Sequence, residues 1–92
     1  MSLLERLERK IAEAQSATWD HARPLAIRLD PPPRMENDAL VVGASFLVQA
    51  RDGGWVEIHR EPATPLADAE AVDDFLARGL SLVLMKHPAW PR

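Results

Sequence analysis

The chain has 92 residues, 47% of them hydrophobic and 27% charged, a balance typical of a globular domain rather than a disordered segment. A net charge of −3 argues against nucleic acid as a partner, and the lack of cysteine excludes disulfides and thiolate metal sites. No apolar run approaches the roughly 20 residues of a membrane span. The sequence therefore predicts a single domain over residues 1–92, in a cytoplasmic protein with no membrane partner.

The first predicted element is a helix over about residues 3–17. Ser2 and Glu5 have the spacing of a capping box, in which the serine side chain accepts a hydrogen bond from an amide of the first turn. Apolar residues then recur every three or four positions, which predicts one narrow buried stripe. These residues are Leu4, Leu7, Ile11 and Ala14. We expect the stripe to pack on a sheet or on a second copy of the chain.

A short strand is predicted next, over about residues 24–29, from the alternation of apolar and polar positions. The three prolines at 31–33 end it, because proline cannot donate a hydrogen bond to a sheet. A loop follows, and Asn37-Asp38 within it has the residue types that form tight turns.

The clearest pattern is a β-hairpin with strands over about 40–51 and 55–60. We predict a three-residue loop, Asp52-Gly53-Gly54, that closes with a left-handed glycine. In that register Ala50 pairs with Val56, and one face of the hairpin is apolar throughout. The second face is apolar at one end, with Val41 and Leu47, and more polar at the other, with Arg51, Trp55, Glu57 and His59. A sheet that is apolar on both faces is normally covered on both, so a helix, the C-terminal tail or a partner should cover this second face.

A second helix and a last strand complete the prediction. Thr64-Pro65 is typical of a helix start, which predicts a helix over about 65–78 that ends at Gly79. The apolar run over about 80–86 is typical of a buried strand, and residues 87–92 form a tail. The order α-β-β-β-α-β predicts an α+β fold, with a mostly antiparallel four-stranded sheet packed by two helices.

Glu57 and His59 are the best local candidates for chemistry. Two residues apart on a strand, they are expected on the same face beside Trp55, where a carboxylate can orient an imidazole. His87 is a third candidate, which the tail would have to bring to them. A metal site needs three or four converging ligands, and such pairs are more often polar residues on a solvent-exposed strand. No metal and no cofactor is therefore predicted.

The C-terminal sequence KHPAWPR, residues 86–92, places Trp90 just beyond the last predicted strand. The large apolar surface of tryptophan favours docking on a folded surface over a free recognition motif. We expect Trp90 to dock on its own chain or on a symmetry mate, with the second hairpin face as the surface available to it.

No nucleophile elbow, phosphate-binding loop or zinc-protease motif occurs, and no motif identifies a family. The favoured hypothesis is a small, non-catalytic protein-interaction or accessory module that forms a homodimer or binds another protein. Its predicted binding residues are Trp55, Trp90, Leu47 and Arg51. The alternative is a small ligand-binding protein or enzyme, with a site on the second hairpin face formed by Glu57, His59 and His87.

Overall fold

The computed structural model of the protein describes residues 2–16 and 24–90. Within them a four-stranded antiparallel sheet carries two helices on one face, in the order α-β-β-β-β-α. The helices are α1 (Leu3–Ser16) and α2 (Ala69–Met85), and the strands are β1 (Leu25–Leu29), β2 (Arg34–Glu36), β3 (Ala39–Gln49) and β4 (Trp55–Leu66). The predicted α+β class is confirmed, although the order of its elements differs from the prediction.

The sheet is built around β3, its longest buried strand. Along one side β3 pairs with β4, and along the other it pairs with β1 and then with β2. β1 and β2 share that side because the prolines at 31–33 separate them, with a cis peptide bond between Asp30 and Pro31. The three-residue strand β2 lies in what the sequence predicted as a loop.

A tight turn joins β2 to β3 at the predicted position. Asn37 and Asp38 both have positive φ, 52° and 63°, which a two-residue hairpin turn requires of its central residues. Asparagine and aspartate tolerate this conformation better than most residues. The prediction that Asn37-Asp38 forms a turn is therefore confirmed.

The helix α1 begins as predicted. The Glu5 amide donates to Ser2 Oγ at 3.1 Å, and the Ser2 hydroxyl donates to the Glu5 carboxylate at 3.2 Å. Leu7 and Ile11 of the predicted stripe are buried. Position 17, the predicted end of this helix, lies outside the described residues, as do the last two residues of the predicted tail.

The turn of the β3–β4 hairpin lies one residue earlier than predicted. The Ala50 amide donates to Gly54 O at 2.7 Å, and the Gly53 amide donates to Ala50 O at 3.0 Å. The loop is therefore Arg51-Asp52-Gly53, and Gly53 has the left-handed φ of 90°. The type of turn is confirmed, but the predicted pairing of Ala50 with Val56 is wrong, since Val56 pairs with Val48.

Two β-bulges in the β3–β4 ladder then change which side chains share a face. Leu47 pairs with Glu57 but Phe46 pairs with His59, and a second shift lies between Val42 and Ala44. We call the helix-covered face, which carries Phe46, the inner face, and the opposite face, which carries Leu47, the outer face. A bulge adds one residue to one strand, so the alternation of β4 side chains reverses at each shift.

The predicted helix over 65–78 is wrong in its bounds, and the predicted strand over 80–86 is not a strand. The β4 strand continues to Leu66, and α2 begins after Asp68, whose side chain accepts from the Ala71 amide at 2.8 Å. α2 then runs through Gly79 to Met85, so residues 80–85 are helical. A short apolar run fits the end of a buried helix as well as a strand. The fourth strand of the sheet is β2, which was not predicted, and not the predicted strand over 80–86.

Trp90 packs into the core of its own chain. Its side chain is 8% exposed, and its indole N–H donates to Val83 O at 3.1 Å across a 3-10 turn formed by His87–Ala89. Of the two expected docking partners, its own chain or a symmetry mate, Trp90 therefore contacts its own chain. The predicted surface is wrong, because Trp90 joins the core between the helices and the inner face.

The hydrophobic core consists of inner-face side chains and the facing helix stripes. Its fully buried members are Leu7, Leu40, Val42, Ala44, Phe46, Val48, Val72 and Val83. Neither helix of the described chain combines the length and apolar character needed to cross a bilayer.

Candidate functional site

The first bulge separates the two residues that the sequence placed together. Glu57 pairs with Leu47 and accepts a hydrogen bond from the Ser45 hydroxyl on the outer face. His59 pairs with Phe46 on the inner face, where the two ring centroids are 5.8 Å apart. The expectation that Glu57 and His59 share a face is therefore wrong, because one extra residue between them reverses the alternation.

On the outer face Glu57 belongs to a small network of charged side chains. Arg60 donates to Glu57 at 2.9 Å and to Asp30 at 3.2 Å. The hydrogen bond from Ser45 holds the pKa of Glu57 below its ordinary value, and Arg60 lowers this pKa further. Glu57 is thus held as a carboxylate, a state suited to an ion pair rather than to donating a proton.

Two shallow grooves mark the outer face. One of about 520 Å³ is lined by residues that include Arg28, Leu47 and Arg60, and one of about 410 Å³ by residues that include Val41 and Pro65. Both grooves mix apolar and charged side chains. That composition is typical of a surface that contacts another protein rather than of a closed small-molecule pocket.

The apolar residues of the outer face lie outside the core cluster. Val41 is 9% and Leu47 8% exposed, although neither packs with the helices, and Trp55 beside them is 42% exposed. Their neighbours are residues of adjacent strands, such as Ala26 opposite Leu47 and Pro65 opposite Val41. Of the predicted binding residues, Leu47 and Trp55 therefore share the outer face, whereas Trp90 is buried in the core and Arg51 is exposed in the turn.

A second cluster lies where the inner face meets the end of α2. His59 Nε2 is 2.8 Å from Glu61 Oε1, and Lys86 Nζ is 3.0 Å from His59 Nδ1. Arg78 of α2 reaches the same Glu61 oxygen at 3.5 Å. The Glu61 side chain is 8% and the His59 side chain 12% exposed, so both are largely shielded from solvent.

The partners of His59 identify which ring nitrogen carries the proton. An ammonium group can only donate, so Nδ1 must accept from Lys86 and Nε2–H must donate to Glu61. Glu61, His59 and Lys86 form an ordered chain of donor and acceptor in this arrangement, which we call the Glu61–His59–Lys86 relay. A carboxylate, an imidazole and an amine in sequence can move a proton.

The sequence alone does not single out this relay. His59-x-Glu61 has the same spacing as Glu57-x-His59, so either pair satisfies the strand pattern, and only the bulge decides between them. The sequence placed Lys86 at the end of a strand, whereas in the structure it follows the last residue of α2, beside β4. The third predicted site residue, His87, packs its ring against Trp90, with centroids 4.9 Å apart.

Among residues 2–16 and 24–90, no three histidine or carboxylate side chains lie together in a way that could hold a metal ion. Comparisons with protein-family models, with curated protein sequences and with solved structures find no match. The fold defines the protein as an α+β domain, and in residues 2–16 and 24–90 both helices lie on one face of its sheet.

Proposed function

We propose that the protein is a non-catalytic interaction module that forms a homodimer through the outer face of its sheet. The observation that carries this proposal is that no helix in the described part of the chain covers this face, although Leu47, Trp55 and Val41 lie on it. Leu47 and Val41 are buried among neighbouring strands, but Trp55 is 42% exposed, and an exposed aromatic side chain rimmed by polar ones is typical of protein–protein contacts.

The edges of the sheet are poorly suited to adding a strand. β4, which forms one edge, contains Pro62 and Pro65 and two bulges that bend its ladder. The opposite edge is divided between β1 and β2 by the proline run. Prolines and bulges block edge pairing, so association through the face of the sheet is the better-supported mode.

The charges of the outer face favour a second copy of this chain over a strongly charged partner. The face and its rim carry three arginines and three carboxylates, which are Arg28, Arg34, Arg60, Asp30, Glu36 and Glu57. Arg34 pairs with Glu36 at 3.0 Å, and Arg60 pairs with Asp30 and Glu57. A balanced surface with internal ion pairs can meet its own copy without burying unpaired charge.

Light scattering coupled to size-exclusion chromatography tests this proposal. The wild-type chain should elute as a dimer at micromolar concentration, and Trp55→Ala should weaken the dimer by about 30-fold or more, the loss expected when a tryptophan that dominates an interface is truncated. Met85→Ala is the matched control, because Met85 is 74% exposed on α2, away from the outer face. A monomeric wild-type chain, or equal weakening by the control, would contradict the proposal.

A further inference from the structure

We infer that Lys86 is a selectively reactive amine that accepts an acyl group from activated esters of the thioester class, with His59 as its general base. The inference rests on the Glu61–His59–Lys86 relay, which the proposed dimerisation does not use. Its three members come from two separate elements, β4 and the end of α2.

The relay has the geometry that activates a nucleophile. An activated nucleophile lies within about 2.6–3.2 Å of a base that a third group orients. Lys86 Nζ is 3.0 Å from His59 Nδ1, and Glu61 accepts from the other ring nitrogen at 2.8 Å. Arg78 contacts the far member, Glu61, and so holds the carboxylate that fixes the tautomer of His59.

The exposure of the three relay residues suits a reaction with a dissolved reagent, because the nucleophile is accessible and its two partners are shielded. Lys86 is exposed at the end of α2, whereas His59 and Glu61 are shielded beneath it. Lys86 Nζ is also 3.4 Å from Ile58 O, and the Lys86 backbone amide donates to Leu82 O at 3.1 Å. These contacts hold the Lys86 amine next to His59, and the solvent-exposed side of the amine stays accessible to an incoming carbonyl group.

The proposed step transfers an acyl group from sulfur to nitrogen. The Lys86 ammonium first gives one proton to solvent. The lone pair of the resulting amine attacks the thioester carbonyl carbon, and His59 Nδ1 takes one amine proton as the C–N bond forms. The C–S bond then breaks, and the leaving thiolate takes the proton from His59. The products are an amide at Lys86 and a free thiol, with His59 and Glu61 returned to their starting state.

The chain provides its own internal standard, because Lys10 and Lys86 are its only lysines. Lys10 lies on α1, with its ammonium 3.9 Å from the Glu13 carboxylate. A carboxylate partner stabilises the charged form of an amine and hardly assists its attack, whereas a neutral imidazole can take the proton.

Competitive acetylation with a small acetyl thioester, followed by peptide mass spectrometry, tests the inference. We expect Lys86 to be acetylated at least about tenfold faster than Lys10, a modest part of what general base catalysis contributes in enzymes. Equal rates at the two lysines in the wild-type chain would overturn the inference.

Two histidine variants separate base catalysis from simple exposure. His59→Gln keeps a hydrogen-bonding side chain but cannot take up the proton, so the Lys86 rate should fall to about that of Lys10. His87→Gln changes the histidine next to Lys86 in sequence and should leave the ratio unchanged. The Lys10 rate reports on the integrity of both variants, and an unchanged ratio in His59→Gln would overturn the inference.

Glu61 is a positioning residue in this account, so its variant needs a spectroscopic readout. The ¹⁵N chemical shifts of His59 should report the Nε2–H tautomer in the wild-type chain. In Glu61→Gln they should report a mixture of tautomers, together with a lower Lys86 acetylation rate. An unchanged tautomer with a lower rate would show that Glu61 does not act through His59.

Discussion

At the residue scale, Gly79 sets the distance between α2 and the sheet. A Cβ atom at this position would lie 2.3 Å from Phe46 Cζ, far closer than two non-bonded carbon atoms approach in proteins. Glycine inside a helix costs about 1 kcal/mol relative to alanine, so its presence here reflects the close approach of the aromatic ring. The sequence interpretation of Gly79 as a helix terminator was wrong for this reason.

We predict that Gly79→Ala destabilises the fold by about 1–2 kcal/mol, because overpacking costs about 1–3 kcal/mol and outweighs the better helix propensity. Urea denaturation measures the change. The same substitution should cost less in a Phe46→Leu background, which removes the atoms that the new methyl group meets. A stabilised Gly79→Ala variant would show that the ring can move aside freely.

A second residue-scale feature is the ion pair that joins the two helices. Arg6 donates to both oxygens of Asp73, at 3.0 and 2.7 Å, across the α1–α2 contact. This double hydrogen bond holds the pKa of Asp73 below its ordinary value. The folded state therefore binds this proton less readily than the unfolded chain does.

We predict that Asp73→Asn lowers stability at pH 7 and that its gap from wild type closes in acid. A carboxylate with a lowered pKa stabilises the fold above the unfolded pKa of about 3.9, and that contribution is lost as the pH falls through the lower folded value. Urea midpoints at several pH values measure the gap. Glu13→Gln, in an exposed pair on α1, is the control and should show a smaller gap, whereas a gap for Asp73→Asn that does not change with pH would contradict this account.

At the element scale, the start of α2 shows how two plausible caps are told apart. Thr64-Pro65 has the residue types of a helix start, but both residues belong to β4 and pair with Val42 and Val41. Asp68 is the observed cap, and its extended backbone lets the carboxylate reach the Ala71 amide. The local sequence does not show whether Thr64 or Asp68 caps the helix. Thr64 belongs to a strand because it pairs with β3, and that pairing is a contact between residues distant in sequence.

Truncation of each candidate cap gives a direct comparison. We predict that Asp68→Ala costs about 0.5–2 kcal/mol, the usual loss on removing a helix cap. Thr64→Ala should cost less, because its hydroxyl only donates to Pro62 O, at 2.8 Å on the exposed edge. Thermal or urea unfolding measures both variants, and the reverse order of costs would place the helix start at Thr64.

Local patterns were sufficient for several elements and insufficient for others. The capping box of Ser2 and the turn at Asn37-Asp38 depend on neighbouring residues, and both were predicted. The type of the hairpin turn was also predicted, but its loop was placed one residue too late. The bulges and the helical state of residues 80–85 depend on contacts between distant residues. The candidate site was misjudged for the same reason, because one bulge moves His59 to the other face.

At the scale of the whole molecule, the proposed dimer interface and the proposed acylation site lie on different surfaces. The outer face carries Leu47 and Trp55, whereas the Glu61–His59–Lys86 relay lies on the inner face at the end of α2. Substitutions at one surface should therefore leave the other unaffected, as expected for sites without shared partners. Loss of the dimer in Trp55→Ala should leave the acetylation ratio of Lys86 to Lys10 unchanged.

The central claim is that the outer face meets a second copy of the chain, and an isotope-filtered NOE experiment on a mixture of labelled and unlabelled chains tests it most directly. We predict intermolecular NOEs to the methyl groups of Leu47 and the indole ring of Trp55. NOEs confined to Leu84 and Met85 at the exposed end of α2, or none at millimolar concentration, would contradict the account.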